Sequence, residues 1–150
     1  MRLIADTGGV VAAMNTAEPD HERYKSTLES ASLAVITPLV IAEVHYLLSS
    51  RGVHEAASDF LADVSEGFYE LAQLVAEDYA QGAVLIKRYE GRMERKRRKP
   101  GSLYLADAMN IVAASKYGTN ILLATDQDYR ITHPLSGHQY FVLLPHDAED

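Results

Sequence analysis

Four short apolar runs punctuate the chain: "RLIA" at the start, "SLAVIT", "NILLAT", and "QYFVLL" near the C-terminus. Each is bounded by polar or turn-forming residues, the pattern of strands buried on both faces. Between the runs, apolar positions recur at three- and four-residue spacing and predict helices over 9–15, 20–30, 38–50, 54–65, 76–92 or beyond, and 103–117. Thr37-Pro38 reads as an N-cap and first helical residue, Gly52 and Gly118 as stops, and "KPGS" as the lead into the last helix. Strands alternating with helices predict an α/β sandwich with helices on both faces of a mainly parallel sheet. No stretch of linker composition, repeat or low-complexity segment divides the 150 residues, so a single domain over 1–150 is expected.

This alternation bears on the chemistry of four acids. Ligands of open parallel sheets bind beyond the carboxyl ends of the strands. Asp6 and Asp126 follow the first and third of the four runs directly, Glu43 lies in the helix that leaves "SLAVIT", and Asp107 lies about one turn into the helix that leads to "NILLAT". All four are expected at one rim of the sheet. Glu43 has Leu39, Val40, Tyr46 and Leu47 at helical spacing, and Asp107 has Leu103, Tyr104, Asn110 and Ile111. Both acids are therefore expected to rise from largely apolar helix faces, where an unpaired carboxylate costs several kcal/mol, roughly. A salt bridge or cap would offset that cost for any single acid. For four together a hard divalent cation, Mg²⁺ or Mn²⁺, is the better partner, since it takes carboxylates and waters as ligands and can activate water against a phosphate. The tripeptide "DTG" around Asp6 also occurs in aspartic proteases, but those are built almost wholly of strands and need two such aspartates. A phosphoacceptor receiver would share the sheet, but lacks its adjacent acids and its lysine here.

Composition narrows the classes further. Apolar content of 47% and charged content of 23% suit a soluble globular domain, no run approaches a membrane span, and no export signal leads the chain, so a cytoplasmic location is expected. With no cysteine, thiol catalysis and thiolate metal sites are excluded. The net charge of −7 conceals an uneven distribution, because eight of the 14 basic residues fall in "KRYEGRMERKRRK". Arg95, Lys96, Arg97, Arg98 and Lys99 in that window are candidates for phosphate contact, set against the plain alternative of a solvated helix end. The six histidines show no pair at ligand spacing. Tyr46, Tyr104 and Tyr129 are candidates for base stacking, set against ordinary packing.

Taken in order, "LIADTGGVVAAMN", "ITPLVIAEVHYLL", "SLYLADAMNIVAASKYGTNILLATDQDYR" and "YFVLLP" give the chain a likeness over almost its whole length: it resembles the PIN-domain family, and within it the VapC-type toxins. The resemblance implies a three-layer α/β/α fold and Mg²⁺- or Mn²⁺-dependent cleavage of single-stranded RNA by the quartet Asp6, Glu43, Asp107 and Asp126, with Asp128 as an auxiliary acid. It also implies a small antitoxin protein as partner and a homodimer. Two departures stand out. Gly8 replaces the Ser or Thr that the family often carries two residues after the first Asp, and Ala124, with Thr125 beside it, replaces a threonine common two residues before the fourth acid. Such residues orient metal ligands, and Thr7 or Asn15 are candidates to substitute. The competing reading is a catalytically silent PIN fold that binds RNA or protein.

Overall fold

A computed structural model describes residues 1–92 and 103–148. The elements run β1 (Arg2–Ala5), α1 (Thr7–Met14), α2 (His21–Ser30), β2 (Leu33–Ile36), α3 (Pro38–Ser50), α4 (His54–Ser65), β3 (Glu70–Leu71), α5 (Ala76–Arg88), α6 (Leu105–Lys116), β4 (Ile121–Leu123) and β5 (Val142–Leu144). A 3₁₀ turn, Gln127–Arg130, follows β4. Among the described residues no helix is long and apolar enough to cross a membrane.

All the strand pairings are parallel, and the sheet order is β3-β2-β1-β4-β5. The chain builds outward from β1 through β2 to β3, then returns to place β4 on the other side of β1. The order therefore reverses between β1 and β4, and the crevice at their carboxyl ends is where such sheets take ligands. Alternate strand residues feed two cores. Leu3, Ala5, Ala34, Ile36 and Leu123 pack under α1 to α4, while Ile4, Val35 and Leu122 pack under α5 and α6. This is the expected three-layer α/β/α arrangement, with β2, β4 and β5 apolar throughout because both of their faces are covered.

The helix limits of α3 and α4 coincide with the sequence expectation, and the Thr37 hydroxyl accepts the Val40 N–H at 3.3 Å as the predicted N-cap. Gly52 and Gly118 adopt φ of +76° and +65°, conformations that favour glycine, and so end α3 and α6. Other expectations shift. α1 begins two residues earlier than expected, at Thr7, which makes Asp6 its N-cap. α5 stops at Arg88 rather than running to Arg92. β3 has no counterpart in the apolar pattern, because its two residues form an exposed edge that buries nothing.

The seating of α1 against the end of β4 depends on Gly9. A Cβ there would collide with the Leu123 carbonyl, a backbone atom in the sheet that cannot turn aside. Only a residue without a side chain lets α1 approach so closely. Gly9→Ala gains about 1 kcal/mol of helix propensity but forces overpacking that costs about 1–3 kcal/mol or more against an immobile partner. The expected outcome is a lower urea midpoint with an unchanged m-value; a midpoint equal to or above that of the wild type would show that the approach of α1 to β4 is not tight.

Candidate metal and active site

Asp6 is the first residue past β1, and its backbone N–H donates to the Leu123 carbonyl at 3.0 Å, which extends the β1–β4 pairing to the crevice. Its side chain makes no cap to α1 although it stands at the N-cap. It is instead 5% exposed, and Oδ1 accepts from Asn110 Nδ2 at 2.8 Å and from the Tyr129 hydroxyl at 3.0 Å. Asn110 Nδ2 also donates to the Tyr129 oxygen at 3.0 Å, closing a triangle of buried polar groups. The Tyr129 hydroxyl lies 3.3 Å from Asp107 Oδ1 as well. One phenol thus holds two carboxylates within two hydrogen-bond lengths of each other, and its single proton serves the nearer Asp6.

Burial is the main cause that raises the Asp6 carboxyl from 3.8 to about 7, followed by the charge of Asp107, with Asp126 adding a smaller push. The Tyr129 hydroxyl and the Thr7 backbone N–H act in the opposite sense. Tyr129 is pushed well above the ordinary phenol value, first by burial and then by Asp6 and Asp107, so it stays a neutral donor.

The other acids converge from separate elements. Asp107, half-buried in the first turn of α6, accepts the Tyr104 backbone N–H on Oδ2 at 3.3 Å, so part of it caps its own helix. Asp126 follows β4 and accepts the Asp128 N–H on Oδ1 at 2.8 Å, which starts the 3₁₀ turn. Glu43 accepts the Thr7 hydroxyl at 2.8 Å. Asp6, Glu43, Asp107 and Asp126, with Thr7, Gly8, Tyr104, Ala106 and Thr125, line one open cleft of about 230 Å³. Asp128 is not among its lining residues; it is half-buried one step along the turn.

One expectation needs correction. Glu43 does not rise from a buried face, because the buried stripe of α3 is Val40, Val44 and Leu48, and Glu43 lies about 100° around the helix from Val44. Tyr46, one turn on, is 69% exposed. Apolar neighbours three and four residues away did not make that side a buried one. Of the three tyrosines considered for stacking, Tyr129 is buried and belongs to the polar triangle, whereas Tyr104 stands exposed at the cleft rim. None of the histidines lines the cleft. Arg95, Lys96, Arg97, Arg98 and Lys99 lie outside the described residues.

Sequence reasoning did not single out Asn110 as a site residue. It is fully buried in the apolar stretch "AMNIVAA", one turn after Asp107, and a buried amide in such a helix is costly unless it is bonded. That cost was the available signal.

The donor set consists of carboxylates, which suits a hard divalent cation that keeps several waters. Among the described residues no three Asp, Glu or His side chains stand at the spacing of a ready-made cation cage. The fit rests on the chemistry: a buried carboxylate whose charge is opposed by two neighbouring acids is what a cation relieves.

A family model described as "PIN domain" matches residues 3–133. Ribonuclease VapC26 of Mycobacterium tuberculosis is 29% identical over 143 residues, covering 94% of this chain and 99% of that one. Among solved structures, Mycobacterium tuberculosis VapC20, a sarcin-ricin loop cleaving toxin, aligns with TM-score 0.71 at 21% identity over 84% of this chain and 91% of its own. VapBC2 from Rickettsia felis, bound to a DNA fragment from its promoter, aligns with TM-score 0.55 at 19% identity over 81% and 86%. The two structural likenesses speak to the fold.

The raised Asp6 carboxyl sets a pH dependence. The fold favours its protonated form, so the associated stability of the metal-free protein is fully present below about pH 4 and is lost as pH rises to about 7. Asp6→Asn should flatten this part of the profile and melt above the wild type in EDTA at pH 8. Melting curves from pH 4 to 8 check it; a wild-type slope in the variant would place the titration elsewhere.

Proposed function

The chain belongs to the PIN-domain family, and from that membership and the carboxylate cleft we propose that it is a divalent-metal-dependent endoribonuclease, the toxin of a toxin-antitoxin pair. The observation that carries the reading is the convergence of Asp6, Glu43, Asp107 and Asp126 on one cleft at the β1–β4 switch point. The 29% identity to a ribonuclease along nearly the whole of both chains supports it.

In this reading Asp6, Asp107 and Asp126 hold Mg²⁺ or Mn²⁺, with Asp128 as an outlying auxiliary acid. The ion, when bound, supplies charge neutralisation at the phosphodiester and a more acidic water. The residues of the chain do the rest. Asn110 and Tyr129 hold the Asp6 carboxylate in place through Oδ1. Glu43, exposed and steadied by Thr7, is the cleft carboxylate best placed to take a proton from the attacking water or to act as a further ligand. RNA follows the rim, its backbone met by part of Arg95 to Lys99. The partners are a small antitoxin that occludes the cleft and a second copy of the chain.

Purified protein freed of any antitoxin should cleave single-stranded RNA with Mg²⁺ or Mn²⁺ and stop in EDTA. Asp6→Asn and Asp107→Asn should each lower the rate by at least about 100-fold, on the order expected when charge stabilisation at the reacting phosphate is lost. The silent-module reading gains if Mn²⁺ leaves the melting temperature unmoved, and cleavage that survives EDTA would defeat the metal mechanism.

The basic window contributes affinity in the same reading. Replacing Arg95, Arg97 and Arg98 by Ala should weaken RNA binding and lessen its salt dependence by up to about two units of the log–log slope, at roughly 0.7 per lost phosphate contact. Stabilisation by Mn²⁺ should stay at the wild-type value. An unchanged slope, measured by fluorescence anisotropy across salt, would return this segment to the role of a solvated surface.

A further inference from the structure

Gly8 lies in the first turn of α1 and Thr125 directly precedes Asp126, and both line the carboxylate cleft. A Cβ built on Gly8 would fall on the Thr125 hydroxyl oxygen, far inside van der Waals contact, with Thr125 Cβ at 3.3 Å and Cγ2 at 3.5 Å. The space that a side chain at position 8 would fill is therefore occupied by a hydroxyl that arrives from the other side of the β1–β4 crevice. The two positions share one place in the site.

The chemistry of the cleft indicates the use of that hydroxyl. Its four acidic side chains, when ionised, only accept hydrogen bonds, so none of them can hold a phosphate oxygen directly. The Thr7 hydroxyl is engaged with Glu43, and the Tyr129 hydroxyl is buried behind Asp6. Thr125 is exposed, and its hydroxyl has no hydrogen-bond partner among the described residues. It stands beside Asp126 with a proton to donate.

We infer that Thr125 is a phosphate-binding residue of this cleft, that its hydroxyl donates to a non-bridging oxygen of the phosphodiester, and that Gly8 is glycine because this hydroxyl takes the space of its side chain. The phosphate role rests on the ribonuclease reading; the exchange of space between positions 8 and 125 does not. A hydrogen bond to a charged oxygen contributes about 1.5–3 kcal/mol, which corresponds to roughly ten- to hundredfold in kcat/KM. Because the contact is with the substrate, the loss belongs in RNA cleavage and not in stability.

Four variants test this: Thr125→Ala, Thr125→Ser, Gly8→Ser, and the double variant Gly8→Ser with Thr125→Ala, which moves the hydroxyl from one wall to the other. In EDTA, Gly8→Ser should melt several degrees below the wild type, since either the new side chain or Thr125 has to be displaced. Thr125→Ala should melt close to the wild type, and the double variant should recover most of what Gly8→Ser loses. In cleavage, Thr125→Ala should fall at least about tenfold, Thr125→Ser should stay within about threefold of the wild type, and the double variant should exceed Thr125→Ala. Full activity of Thr125→Ala would overturn the phosphate role. A double variant that melts no higher than Gly8→Ser would overturn the shared space. A wild type inert towards RNA would sink the ribonuclease reading and the phosphate role with it, while the melting series would still judge the exchange between the two positions.

Discussion

Withdrawal of one carboxylate from water, at the end of the central strand, is the constraint around which the site is arranged. Asp6 is held 5% exposed with acids on two sides, and a fold keeps such a group only when other polar atoms come inside with it. Asn110 and Tyr129 are those atoms. They are brought from α6 and from the turn after β4, so the carboxylate binds together the three segments that converge on the crevice. The residual strain is electrostatic, and it is the kind that a cation removes.

Convergence of this closeness depends on missing side chains as much as on those present. Gly9 lets α1 sit on the Leu123 carbonyl, and Gly8 leaves room for Thr125. The first turn of α1 can therefore lie against the end of β4, with Asp6 and Asp126 on one cleft. Two of the acids also do local work: Asp107 accepts at the start of α6, and Asp126 starts the 3₁₀ turn. Such double use fixes these two carboxylates without extra residues, and it fits their places in the first turn of α6 and directly after β4.

The charge distribution completes the functional reading. An acidic cleft on a chain of net charge −7 repels a polyanion unless cations intervene. In the proposed reading a bound divalent ion would answer that repulsion at the cleft itself, and the basic window would supply the complementary attraction along the substrate. Removal of either should weaken action on RNA, but in different observables, since one concerns chemistry and the other concerns affinity.

The three-layer fold and the rim of four acids were legible in the sequence because they follow from strand and helix periodicity: apolar runs that end in Asp6 and Asp126, and helices that must leave or reach the same edge. The limits of α3 and α4 were legible too, through a proline, a threonine cap and a glycine stop that act locally. Other features were not. The buried side of α3 depends on how that helix is rotated against α1 and α4, and this placed Glu43 in the open despite its apolar neighbours. β3 is an edge pairing that leaves no apolar pattern. The roles of Asn110, Tyr129 and Thr125 are set by partners 104, 123 and 117 positions away in the chain. Periodicity along a chain reports which faces are buried, but which polar groups meet is decided by contacts between distant segments, and only the packed structure makes those.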